Sequence, residues 1–76
     1  MNLTDYGKVK QSLFFKKFTG TAGGFETALW NAFDAADWDN KEILGSAFPT
    51  HLSVYKDWYN SEGERIFFED YLREVE

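Results

Sequence analysis

The chain lacks several features on which small proteins often depend. It contains no cysteine, which excludes disulfide bonds, and a single histidine, which excludes a structural zinc site built from several Cys or His ligands. No apolar run approaches the length of about 18 residues that a membrane-spanning helix needs. Residues 1–10 also lack the basic-then-apolar order of a secretory signal, so we expect a cytoplasmic protein with no membrane partner.

Aromatic residues are abundant instead. Eight phenylalanines, four tyrosines and three tryptophans occur in 76 residues. A domain of this length buries only about 60–65% of its unfolded surface, whereas each enclosed aromatic side chain removes roughly 150–250 Å² from water. We therefore interpret the aromatic residues as the main source of the core, and we expect residues 1–76 to form a single helical domain.

The charges are numerous and unevenly distributed. The chain carries 13 acidic and 8 basic residues, for a net charge of −5. Residues 1–20 are basic, because Asp5 stands against four lysines, whereas residues 21–76 are strongly acidic. Phosphate-backbone contacts normally require Lys or Arg, so the acidic part argues against direct nucleic-acid binding.

Helical periodicity is clearest in residues 25–36, where apolar side chains share an arc of roughly 140°. These predicted core positions are Phe25, Ala28, Leu29, Ala32, Phe33 and Ala36. Asp39 followed by Glu42 has the spacing of a capping box, and Trp38 with Ile43 has that of a hydrophobic staple. A second helix is therefore predicted over residues 40–48, with Ile43, Leu44, Ala47 and Phe48 buried.

Two more helices follow from the same kind of evidence. Pro49 suits the first position of a helix over residues 49–60, on which Leu52, Tyr55 and Tyr59 share one face. Ser61 and Glu64 repeat the capping-box interval before a C-terminal helix. Its predicted core residues are Phe67, Phe68, Tyr71, Leu72 and Val75.

Residues 5–18 are compatible with a helix or a strand. A lone strand would have no partner elsewhere in the chain, so we favour the helix. The predicted fold class is all-α, a compact bundle of four to five short helices.

The densest acidic run suggests calcium, but it does not fit an EF-hand. A loop starting at Asp37 would have Asp39 in its third position, yet Lys41 would stand at the fifth and Glu42 where glycine is required. Phe48 would replace the bidentate glutamate. Helix capping and solvent exposure explain these acidic residues better, and we expect no metal site.

Phosphate binding and catalysis find equally little support. The glycines at 20, 23 and 24 lack the spacing and the Lys-Ser/Thr pair of phosphate loops, and Glu26 places negative charge beside them. His51 has no serine-centred nucleophile motif to accompany it and lies beside an apolar helix face. We therefore expect no catalytic or cofactor-binding residues and no enzymatic activity.

Five apolar residues lie off or at the edge of the predicted core arcs. They are Phe15, Trp30, Val54, Trp58 and Ile66. Exposed large apolar groups mark contact surfaces, and Trp is a frequent interface anchor. Packing against a second neighbouring helix explains such positions about as well. As candidate partner-binding residues we choose Trp30, Trp58, Phe15 and Ile66.

The stretch Thr19–Pro49 resembles a segment of short uncharacterised proteins encoded by bacteriophages and prophages. The residues that carry the resemblance are Gly24, Phe25, Ala28, Leu29, Ala32, Ala36, Asp37, Asn40, Leu44, Phe48 and Pro49. The resemblance implies a viral accessory protein in a bacterial cytoplasm and brings no catalytic residue with it.

These observations lead us to expect a small accessory protein that acts by binding another protein. The alternative is an acidic decoy that imitates spaced phosphates and inhibits a nuclease or defence enzyme. Self-association is a further expectation, because pairing would add core to so short a chain.

Overall fold

The structure, a computed structural model, describes residues 5–75 and the side chains of residues 5–73. Its α-helices are α1 (Asp5–Phe14), α2 (Gly24–Ala35), α3 (Trp38–Ala47), α4 (Pro49–Tyr59), α5 (Glu64–Phe67) and α6 (Glu69–Val75). No strand occurs in this part of the chain, so the predicted all-α bundle is confirmed, with six short helices instead of four or five. The preference for a helix in residues 5–18 is also confirmed.

The first helix ends in a wider turn. Residues Phe15–Thr19 continue α1 as a π-helix, in which each backbone bond spans one extra residue. Gly20 closes this turn in the left-handed conformation, with φ at 67°, and its N–H donates to the Phe15 carbonyl at 2.7 Å. Because side chains disfavour that conformation, glycine is the residue suited to this position.

Helix α2 forms within one residue of its predicted bounds, but its buried face is rotated. Leu29 and Phe33 are buried as predicted, whereas Phe25 is exposed. Trp30, expected at the edge of the core, is fully buried and donates its Nε1–H to Ser12 Oγ at 3.0 Å. The side chain thus fills the contact between α1 and α2, which shifts the buried arc toward it.

The start of α3 differs from the prediction. Asp37, not Asp39, is the N-cap residue, and its Oδ1 accepts the Asn40 N–H at 2.8 Å. The predicted capping box is therefore wrong. So is the predicted staple, because Trp38 lies inside the helix and Ile43 is exposed.

Helices α3 and α4 form a tight antiparallel hairpin. Only Phe48 separates them, and Pro49 occupies the first turn of α4 as predicted. Gly45 is buried against Leu52: a Cβ added to Gly45 would lie 2.9 Å from the Leu52 Cβ. The missing side chain at position 45 therefore allows the close approach of the two helices.

The C-terminal segment is two helices instead of the single predicted one. The chain leaves helical geometry at Phe68, which itself is fully buried. The predicted Ser61 cap is wrong, because its hydroxyl donates to the Trp58 carbonyl at 2.6 Å while Gly63 precedes α5. The predicted core position of Val75 lies outside the described side chains.

One cluster of buried side chains joins all the helices except α3 and α5. Its members are Leu13, Phe14, Leu29, Trp30, Phe33, Val54, Tyr55, Phe68 and Leu72. Both α1 and α3 pack on α4, so α4 is central to the bundle. None of the helices in the described residues is long and apolar enough to cross a membrane.

Candidate functional site

Of the candidates chosen from the sequence, only Ile66 is among the large apolar side chains left exposed in the described residues. These exposed side chains are Phe25, Trp38, Ile43, Tyr59 and Ile66. Two of them are in contact: the ring centroids of Trp38 and Tyr59 lie 5.2 Å apart, and the ring planes are nearly perpendicular at 88°. We call this pair the aromatic corner.

The hairpin geometry places the aromatic corner. Trp38 is the first residue of α3 and Tyr59 is the last of α4. Since the two helices run antiparallel, these ends meet at one end of the bundle. The side chains are 41% and 58% exposed, so both rings present apolar surface to solvent.

A buried lysine supports the corner from inside. Lys41 is 7% exposed and donates its Nζ hydrogen to the Ala36 carbonyl, just before the Asp37 cap. The same Nζ lies 5.0 Å from the centre of the Trp38 ring and 5.4 Å from that of Tyr55. These cation–π contacts and the backbone bond hold Trp38 in place.

Tyr55 anchors the inner side of this arrangement. Burial raises the pKa of its hydroxyl, and the bond it donates to Asp34 at 3.0 Å raises the pKa further. The phenol therefore stays neutral at ordinary pH. Lys16 and Lys17 each place their Nζ 3.7 Å from the same Asp34 carboxylate, which links α4 to α2 and to the π-helical turn.

The surroundings of the aromatic corner are acidic. Asp37 and Asp39 flank Trp38 in sequence, Glu62 follows Tyr59 in the next turn, and all three are exposed. Of the two basic residues nearest in sequence, Lys41 is buried beneath the rings, and Lys56 is paired with Glu42 at 2.8 Å. A partner would therefore meet aromatic surface bordered by negative charge.

The four candidate partner-binding residues have different environments. Trp30 is fully buried, so it presents no side-chain surface to a partner. Val54, for which exposure and packing against a second helix were both left open, is buried as well. Phe15 is half-buried with its ring centroid 5.8 Å from that of Phe14. Only Ile66, on α5, is largely exposed.

Trp58 is committed to contacts within the chain. Its Nε1–H donates to Glu64 at 3.2 Å, and Lys17 Nζ lies 4.3 Å from its ring centre. Its ring also packs 5.3 Å from Tyr55. This half-buried side chain thus joins α4 to α5 and to the π-helical turn.

His51 also has a partner within the fold. Its Nε2 lies 3.0 and 3.1 Å from the two carboxylate oxygens of Glu26, and its ring packs on Trp30 and Phe48. It borders an open groove of about 330 Å³ between α1 and the α3–α4 junction. The contacts tie α4 to α2, as expected for a structural histidine.

The acidic run of α3 is dispersed in the structure. Asp37 caps the helix, and Glu42 forms an ion pair with Lys56 at 2.8 Å. Within the described residues, no three His, Cys, Asp or Glu side chains are grouped for a metal ion.

The sequence analysis missed the aromatic corner because it assigned Tyr59 to an apolar helix face and Trp38 to a staple with Ile43. A usable signal was present: Trp38 stands between two aspartates, and Tyr59 directly precedes the polar segment 60–64. Residues at the very ends of helices have fewer neighbours to cover them. An aromatic ring beside such polar residues is therefore a good candidate for exposure.

No protein-family model matches the chain, and no curated protein or solved structure is significantly similar to it. The resemblance of Thr19–Pro49 to phage-encoded proteins stays a prediction, and function has to be inferred from the surface itself.

Proposed function

We propose that the protein is a small non-enzymatic accessory factor that acts by binding another protein through the aromatic corner. The observation that carries the proposal is the exposed, mutually packed pair Trp38 and Tyr59. Trp and Tyr are enriched among the residues that contribute most to protein–protein affinity.

The corner is also prepared for binding before a partner arrives. Lys41 and Tyr55 hold Trp38 from inside, and Trp38 in turn contacts Tyr59. Binding therefore immobilises few additional side chains, and each side chain immobilised at an interface costs about 0.5–1.5 kcal/mol. The smaller loss of side-chain entropy favours recognition by the corner over recognition by isolated exposed residues such as Ile43.

An acidic decoy is the less supported alternative. It requires carboxylates free to face a basic groove, yet many carboxylates are bound within the chain. Those with partners in the fold are Glu26, Asp34, Asp37, Glu42, Asp57, Glu64 and Asp70. We therefore expect most of the binding affinity to come from the rings of the aromatic corner.

The test uses single substitutions of exposed apolar residues. Tyr59→Ala and Trp38→Ala are compared with Ile43→Ala and Ile66→Ala, which remove exposed apolar surface elsewhere. Because the resemblance of Thr19–Pro49 implies a phage origin and a bacterial host, partners are captured from bacterial lysate and identified by mass spectrometry. Affinity for the purified partner is then measured for each variant whose circular dichroism matches the wild type.

We expect Tyr59→Ala to weaken binding by about 2 kcal/mol, or roughly thirtyfold, and Trp38→Ala at least as much. Ile43→Ala should remain within about threefold of the wild type. Loss of binding in Ile66→Ala with full binding in Tyr59→Ala would move the interface to α5. A steep fall in wild-type affinity as salt rises to about 0.5 M, with no effect of Tyr59→Ala, would favour the decoy.

A further inference from the structure

The aromatic corner combines two properties that together specify the chemistry of what it binds. Its rings are 41% and 58% exposed, and the residues next to them in sequence include the exposed acidic residues Asp37, Asp39 and Glu62. We infer that its occupant is an arginine side chain on a positively charged segment of the partner. This inference rests on the proposed function and names the partner chemistry.

A purely apolar partner fits the border poorly. Covering Trp38 and Tyr59 with apolar surface would remove water from the adjacent carboxylates without supplying hydrogen bonds or positive charge. Burial of an unpaired carboxylate is strongly unfavourable. A cationic group suits both the rings and the neighbouring carboxylates, because it is attracted to the ring faces and to the negative charge.

The chain itself places lysines over some of its other aromatic rings. Lys10 lies 4.3 Å from the centre of the Phe67 ring, and Lys17 lies at the same distance from that of Trp58. Lys41 occupies the inner side of Trp38. Within the described residues, the exposed Tyr59 ring has no such cation, so this position is open to one from a partner.

Arginine suits the corner better than lysine. Its guanidinium is planar and stacks on an aromatic ring while its N–H groups donate to a carboxylate in bidentate geometry. Asp39 directly follows Trp38, Glu62 lies three residues after Tyr59, and both acidic residues are exposed. A lysine ammonium is more strongly hydrated and loses more water on entering the same position.

The inference is tested with a short peptide in which arginine alternates with glycine, its termini blocked. Two matched peptides replace every arginine with citrulline, which keeps the shape without the charge, or with lysine. The indole N–H signals are followed by nitrogen–proton NMR. Trp38 reports on the corner, while the buried Trp30 and the half-buried Trp58 serve as internal references.

We expect the arginine peptide to give a saturable shift of the Trp38 signal, with binding about tenfold weaker for lysine and absent for citrulline. Tyr59→Ala should weaken arginine binding about tenfold. The double substitution Asp39→Asn/Glu62→Gln should also weaken arginine binding about tenfold. Its matched control, Asp5→Asn/Glu69→Gln, removes two exposed carboxylates elsewhere and should bind as the wild type does.

The outcomes separate this inference from the proposed function. No shift of Trp38 at millimolar arginine peptide, or equal shifts with citrulline, would overturn the inference. If the captured protein partner were still lost in Tyr59→Ala but kept in Asp39→Asn/Glu62→Gln, the corner would be the interface and its occupant uncharged. An arginine-specific shift together with unchanged partner binding in Tyr59→Ala would show that the corner recognises arginine, but it would contradict the proposed function and overturn the assignment of that arginine to the partner.

Discussion

Substitution of Gly45 by alanine tests the close packing of α3 against α4. In an open helix, replacing Gly by Ala stabilises by up to about 1 kcal/mol, because alanine has the higher helix propensity. At position 45 the added Cβ would lie 2.9 Å from the Leu52 Cβ and would overlap the Leu52 Cδ2. A rotation of the Leu52 side chain can move Cδ2, but its Cβ is attached to the backbone of α4.

The higher helix propensity of alanine stabilises the protein, whereas the overlap with Leu52 destabilises it, so the relative sizes of these two effects decide the outcome. To restore ordinary contact, α3 and α4 must separate by about half an ångström, in a bundle where packing leaves little room for movement. Overpacking of this kind costs about 1–3 kcal/mol. After subtraction of the gain in helix propensity, we expect Gly45→Ala to lower the free energy of unfolding by up to about 2 kcal/mol and Tm by up to about 10 °C.

A matched control is available in the same chain. Gly24 begins α2, and a Cβ added there would meet no atom within 4 Å. Gly24→Ala should therefore leave stability unchanged or raise it slightly. Both variants are measured by urea unfolding followed by circular dichroism.

The clash partner is identified with a double-mutant cycle. Leu52→Ala alone should destabilise, but combined with Gly45→Ala it should cost less than the sum of the single changes, because the overlap with Cδ2 is removed. If Gly45→Ala were as stable as Gly24→Ala, the close approach of α3 and α4 would be refuted.

Three further predictions concern stability. Phe33→Ala should cost about 3–5 kcal/mol in urea unfolding, since this fully buried ring packs between two others, and a loss below about 1 kcal/mol would contradict its burial. Asp37→Ala should cost about 0.5–2 kcal/mol while Asp39→Ala costs almost nothing, and equal losses would refute the assigned cap; calcium should not raise Tm. Trp58→Ala should cost about 2–3 kcal/mol, measured the same way, and a fully stable variant would show that its internal contacts contribute nothing.

The helices themselves were predictable because their causes are local. Apolar spacing between residues 25 and 36 and the proline at position 49 each depend on neighbours within a few residues. The N-cap residues were harder to predict, because neighbouring residues can have equally suitable side chains. Both Asp37 and Asp39 have the chemistry of an N-cap, and only the extended backbone of Asp37 distinguishes the one that acts.

The orientation of each helix was decided by tertiary structure. Trp30 and Val54 are buried because α2 contacts both α1 and α4, and α4 contacts both α1 and α3, which widens or rotates the arc that water cannot reach. Sequence spacing describes one arc per helix and does not show where a second neighbour lies. The candidate interface residues were chosen because they lay outside those arcs, and not all of them are therefore exposed.

The aromatic corner shows the same division. Its composition, with aromatic rings beside aspartates at the ends of two predicted helices, is already present in the sequence. Its existence as a surface depends on the close packing at Gly45, the antiparallel hairpin and the buried Lys41 beneath Trp38. Local chemistry thus determined the helices, whereas contacts between residues distant along the chain determined which aromatic rings fill the core and which face solvent.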